Sequence, residues 1–169
     1  MLKAITAALA FYSYYLIRTS LPTLPARIPT HFNFAGQPDG WSSPQTLWML
    51  LVIQVVTGVL MLSIPLWGRR FPQIVNLGFK RLSDYTPVQR ERIMPLLEEM
   101  AGLMGITFSL LFTYLIHEMI RAATVAHPRL QMGWPLGLFV AAMVGLSIYY
   151  IRRINAVANA APPTDPQSH

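Results

Sequence analysis

Four apolar stretches dominate this sequence, and they restrict the chain to folds whose outer surface is solvated by lipid. The strongest cover residues 47–67, 101–120 and 133–151. A helix rises about 1.5 Å per residue, so about 20 residues cross the hydrocarbon core, and these runs meet that length. The remaining run, 4–17, is short, but its flanks extend it to about 2–21, and Arg18 can snorkel to the headgroups. Of 169 residues, 53% are hydrophobic and only 12% charged. A soluble domain carries roughly 25% charged residues to coat its surface. The expected fold is therefore an all-α integral membrane protein of four transmembrane helices. The spans are about 2–21, 46–67, 101–120 and 133–151, within one domain over 1–154. The first run also fits a cleaved signal peptide. An anchor fits better, because Arg18 directly follows the apolar run and no A-x-A site comes promptly after it.

Orientation follows from the basic residues. With the N-terminus inside, the inner segments hold Lys3, Arg69, Arg70, Lys80, Arg81, Arg90, Arg92, Arg152 and Arg153, and the outer ones hold Arg18, Arg27, Arg121 and Arg129. Nine against four is a positive-inside bias, which predicts both termini in the cytoplasm. The same bias accounts for the net charge of +6, so nucleic acid is not an expected partner. With no cysteine, disulfides, thiolate zinc sites and iron–sulfur clusters are excluded within the chain.

The inner loop, 68–100, contains a helix start: Thr86 as N-cap, Pro87 at the first helical position and Gln89 as capping-box partner. The mixed apolar and charged residues after it suit either an interfacial amphipathic helix or a solvated linker, and Pro95 is expected to kink it. The tail, 155–169, is rich in proline at its end and reads as disordered. Small residues recur every four positions at Ala101, Gly105, Ser109 and Thr113, and again at Gly133, Gly137, Ala141 and Gly145. Such ladders permit close helix approach, and the two are expected to face each other. The alternative is that one of them meets a second copy or a partner subunit.

The outer loop, 22–45, is dense in conformational signals. Pro22, Pro25 and Pro29 stiffen the backbone, and Ala35-Gly36 and Pro38-Asp39-Gly40 read as turns. His31, Phe32 and Asn33 lie between them, with Trp41 after, so the segment reads as a folded cap over the helix ends. The run Leu24-Pro25-Ala26-Arg27-Ile28-Pro29-Thr30-His31-Phe32-Asn33, then Gly36, then Pro38-Asp39-Gly40-Trp41, resembles the loop motif of a bacterial membrane domain family of unknown function. That domain also forms the N-terminal part of immunity proteins against the sporulation-delaying protein toxin. The resemblance covers roughly the first 70 residues and implies a motif loop between two spans, with an immunity-like role as one use of it. Asn76 and Arg90-Glu91-Arg92 are weaker points of similarity to short members.

The chemistry on offer is sparse. His31, Asn33, Asp39, His117, Glu118 and His127 fall on the outer side in this topology. His31, Asp39, His117 and Glu118 are the weak candidates for a divalent metal, but no H-x-x-x-H or H-E-x-x-H spacing occurs and none is expected to bind. The favoured reading of His31 and Asn33 is that they hold the loop shut, ahead of ligand binding. Glu118 is expected to pair with Arg121, three residues on. Gln54, inside the second span, is expected to bond to a neighbouring helix. No intramembrane charged pair, nucleophile–base pair or phosphate loop is present, so neither enzyme nor transporter is expected and no cofactor is implied. What remains is a membrane binding or sensing module acting through His31, Phe32, Asn33, Gly36, Pro38, Asp39, Gly40 and Trp41, with a peptide or another membrane protein as partner. The alternative is an accessory subunit of a larger membrane complex.

Overall fold

A computed structural model of the chain describes residues 1–33, 35–78, 80–125, 129 and 133–160. Four helices carry the fold: α1 over Leu2–Ser20, α2 over Thr46–Arg70, α3 over Pro87–Thr124 and α4 over Gly133–Asn159. Between α1 and α2 stand two short antiparallel strands, β1 over Ile28–Phe32 and β2 over Pro38–Ser42. Three helices, α2, α3 and α4, are long and apolar enough to cross a membrane. Their outward faces confirm the class. Val52, Val59 and Leu66 of α2, and Leu138, Val140 and Val144 of α4, are exposed on the surface of the chain. Water would penalise such a surface; lipid tails solvate it.

α3 is the hub, packing against each of the other three helices. It is 38 residues long and runs unbroken through Pro95, so the amphipathic segment and the apolar run after it are one helix. Its start is the one read from sequence. Thr86 Oγ1 accepts from the Gln89 N–H at 3.3 Å, and Gln89 Oε1 accepts from the Thr86 N–H at 2.9 Å. Two apolar clusters sit near its ends. One gathers Leu77, Leu82, Tyr85, Ile93, Leu97, Tyr150 and Ile154; the other gathers Ile17, Ile28, Leu47, Ile116 and Met119. From Ile93 to Ile116 the helix climbs roughly 35 Å, about one bilayer core.

The segment between α2 and α3 is ordered into the bundle. Leu77 donates to the Lys80 carbonyl and Leu82 to the Val75 carbonyl, closing a tight turn around Gly78, whose φ of 97° suits glycine. Leu77 and Leu82, 5% and 0% exposed, wedge this turn into the helices. The wedge also fixes the end of α4. That helix continues to Asn159, past the limit expected at 151, because Ile154 and Ala158 bury against the same cluster. Gln89 Nε2 donates to the Ala158 carbonyl at 2.6 Å. Residues 155–159 are therefore helical, and 161–169 of the expected disordered tail lie outside the described residues.

The two small-residue ladders do not face each other. Ala101, Gly105 and Ser109 are buried, but toward α1 and α2: a Cβ on Gly105 would meet Met61 and Thr6. A Cβ on Gly133, Gly137 or Gly145 meets nothing within 4 Å, and Ala141 is exposed. The aromatic contact of Phe108 with Phe139, 5.1 Å between centroids, lies on a different side of α4 and holds it to α3. Large residues on one face won over small residues on the other. Gly137→Leu should therefore leave thermal unfolding of the detergent-extracted chain unchanged to within about 0.5 kcal/mol, the range of surface substitutions. A marked loss would show that this face is covered.

Candidate functional site

The segment between α1 and α2 is a β-hairpin whose base is anchored and whose far end stands free. Ile28, 0% exposed, packs in the cluster formed by the ends of α1, α2 and α3, and Pro29 beside it is buried. Pro29 has no N–H to lose and tolerates an edge position in a two-stranded sheet. The register pairs Ile28 with Ser42, Pro29 with Trp41, His31 with Gly40 and Phe32 with Pro38, with irregularities on either side of His31. Arg27 donates to the Trp41 carbonyl at 3.3 Å, and Thr46 Oγ1 to Ser42 Oγ at 3.0 Å, tying the hairpin base to the start of α2.

Asn33 closes the turn. Its Oδ1 accepts from the N–H groups of Ala35 and Gln37, each at 3.0 Å, and its own N–H donates to the Gln37 carbonyl. Gly36, at φ 73°, donates back to the Asn33 carbonyl at 2.8 Å. A short amide side chain satisfying two backbone donors two and four residues on is why asparagine suits this turn. Only the first of the two expected turns exists. Pro38, Asp39 and Gly40 lie within β2. Glycine stands at 40 for space: a Cβ there would approach the His31 Cβ to 2.7 Å.

That close approach positions the polar pair of the hairpin. His31 Nδ1 lies 2.5 Å from Asp39 Oδ1, with the side chains 75% and 44% exposed. A histidine held by a carboxylate has its ring orientation and tautomer set, leaving the other ring nitrogen outward as a hydrogen-bonding group. Phe32 is half-buried and Trp41 is 49% exposed. The hairpin thus offers an imidazole, a carboxylate oxygen and an indole on a stiff two-stranded support.

The candidates His117 and Glu118 form a separate group on α3. Glu118 is buried, and Arg121 donates to it through Nε at 3.0 Å and Nη2 at 2.6 Å. Arg121 also donates to the Arg129 carbonyl at 3.0 Å, and His117 Nδ1 is 3.6 Å from Glu118 Oε1. The Glu118–Arg121 pair is the one expected from their spacing. Among the described residues no three histidine or acidic side chains gather as a metal site. His127 lies outside them.

Sequence reading missed a third polar feature, a junction where α1, α2 and α3 meet. Gln54 Nε2 donates to the Ser109 carbonyl at 3.3 Å and to Thr113 Oγ1 at 3.2 Å, and Ser13 Oγ shares a 2.8 Å hydrogen bond with Thr113. Gln54 was legible as an interhelical donor. Its link to Ser13 through the shared Thr113 hydroxyl required knowing that α1 packs here. Gln54 Oε1 and Ser109 Oγ are buried without a partner among the described residues, and each such group costs about 1–3 kcal/mol.

Residues 4–55, which span α1, the hairpin and the first part of α2, match the family described as a domain of unknown function (DUF1648). The match ends within α2, before the segment joining it to α3 and the longer helices that follow. No curated protein and no solved structure matches the chain.

Proposed function

We propose that the chain is a non-enzymatic module of the bacterial plasma membrane that binds or senses a peptide or another membrane protein through its outer hairpin. The observation that carries this reading is the contrast within the hairpin. Ile28 at its base is 0% exposed, while the His31 side chain, paired with Asp39, is 75% exposed. A loop with a purely connecting task does not need a fixed, outward-facing polar pair. The family matched by residues 4–55 has no assigned activity, so the immunity-like role rests on the resemblance of the hairpin motif alone.

Two further points complete the reading. α1 is taken as a fourth span, supported by its inverted faces: it buries the hydroxyls of Thr6 and Ser13 and exposes Phe11, Tyr12 and Tyr15. That pattern suits a helix with protein on its polar side and lipid on the other. Both termini are taken as cytoplasmic, supported by the nine basic residues on that side against four.

The test is a tolerance assay. Bacteria expressing the chain are challenged with membrane-active peptide toxins, and His31→Ala and Asp39→Ala variants are compared at equal membrane abundance. The chain should raise survival at least tenfold against one of them, and both variants should lose that gain. Survival independent of both residues would sink the hairpin reading. A second reading, an accessory subunit of a larger complex, is favoured by the apolar and small residues exposed along α4. Native mass measurement after gentle extraction separates the two, since a lone monomer excludes the subunit.

A further inference from the structure

The inner-loop wedge creates two grooves that meet along one short segment. The first, about 380 Å³, lies between α2, the loop and α3, with Trp67, Ile74, Leu77 and Met100 on its walls. The second, about 220 Å³, lies between the loop, α3 and α4, and shares Asn76, Leu77 and Met100 with the first before reaching Ile151. The larger is in the size range of small-molecule sites and is mostly apolar in its lining. Asn76, exposed at the junction, is the polar residue common to both.

Two cations lie three residues from groove-lining positions. Arg70 follows Trp67 by three residues on α2, hence on a neighbouring part of the same helix side, and its guanidinium lies 5.9 Å from the Phe71 ring centroid. Lys80 follows Leu77 by three residues, with its ammonium 5.8 Å from the Tyr85 centroid. Arg69 and Arg153 are paired with Glu98 and Glu99. Arg70 and Lys80 have no carboxylate partner among the described residues, so their charge is available to another anion.

We propose that this junction is a binding site for one anionic phospholipid, with an acyl chain in each groove and its phosphate facing Asn76, Arg70 and Lys80. Paired apolar grooves meeting at one polar residue match a diacyl lipid. Unpaired cations three residues from their lining positions favour an anionic headgroup over a zwitterionic one. The inference needs only that α2, α3 and α4 lie in the bilayer, and it stands apart from anything the hairpin binds.

Trp67 is a built-in reporter. The full chain with Trp41, Trp48 and Trp134 changed to Phe is reconstituted in phosphatidylcholine vesicles. Quenching of Trp67 is then followed as brominated-chain phosphatidylglycerol replaces part of the lipid. A site predicts a saturating curve at a low mole fraction of phosphatidylglycerol, and a linear dependence for brominated phosphatidylcholine. Arg70→Gln with Lys80→Gln should shift the phosphatidylglycerol curve several-fold to higher mole fraction. Coincident curves for the two lipids, or a curve indifferent to the two substitutions, would overturn the proposal. If the three Phe changes prevent folding, native mass spectrometry of the unaltered chain from mixed-lipid nanodiscs replaces them. One retained phosphatidylglycerol per chain, reduced by Arg70→Gln with Lys80→Gln, supports the site, and equal retention of both lipids refutes it.

Discussion

Arg121→Ala should destabilise the chain by about 2 kcal/mol, and adding Glu118→Gln should restore more than half of that loss. Glu118 has only 9% of its side chain exposed, and both its oxygens accept from Arg121. Removing the guanidinium leaves a carboxylate in a poorly solvated place, with His117 Nδ1 3.6 Å away. Breaking a fully buried pair costs about 3–5 kcal/mol. The smaller figure applies because Arg121 is itself 41% exposed, so water already competes for it. Neutralising Glu118 removes the stranded charge, which is why the double variant recovers. Recovery stays incomplete because Arg121 also holds the Arg129 carbonyl. Thermal unfolding in detergent reads the unaltered chain and both variants, with a shift of about 5 °C expected for the single change. If Arg121→Ala and the double variant unfold at the same temperature, the stranded charge is not the cause.

Gly40→Val should open the hairpin while leaving the helices intact. The new Cβ would lie 2.7 Å from the His31 Cβ, an atom next to the backbone that cannot rotate away. Either strand must shift, and overpacking of this kind costs about 1–3 kcal/mol. At about 2 kcal/mol the open hairpin becomes roughly thirtyfold more populated, because each 1.4 kcal/mol is a factor of ten. Protease added to the hairpin side of sealed vesicles should cut residues 28–42 faster in proportion, with helical circular dichroism unchanged. Unchanged cleavage would mean that the strands accommodate the side chain. The comparison with Gly137→Leu is direct, since the added atoms there meet nothing within 4 Å.

Features carried by local chemistry were legible in the residue order. The Thr86–Gln89 cap needs only residues three apart, and the Glu118–Arg121 pair needs only one helical turn. Asn33 was legible as a loop-closing residue, since its partners, Ala35 and Gln37, lie two and four positions away. Non-local relations were not. Pro38-Asp39-Gly40 carries turn chemistry, yet it forms a strand, because pairing with β1 and the buried anchor at Ile28 outweigh local preference. The small-residue ladder of α4 has the right spacing for packing, yet it points away from α3.

Hydrophobic content and run length alone determined that this is a helical membrane protein, because lipid solvation is a property of each segment taken singly. Only the tertiary structure decided which faces meet. Contacts between distant segments depend on side-chain shape in three dimensions, and that decided the wedge of Leu77 and Leu82, the Gln54 junction and the His31–Asp39 pair. Periodicity can show that a helix has a small face or a polar residue; it cannot show what will stand opposite.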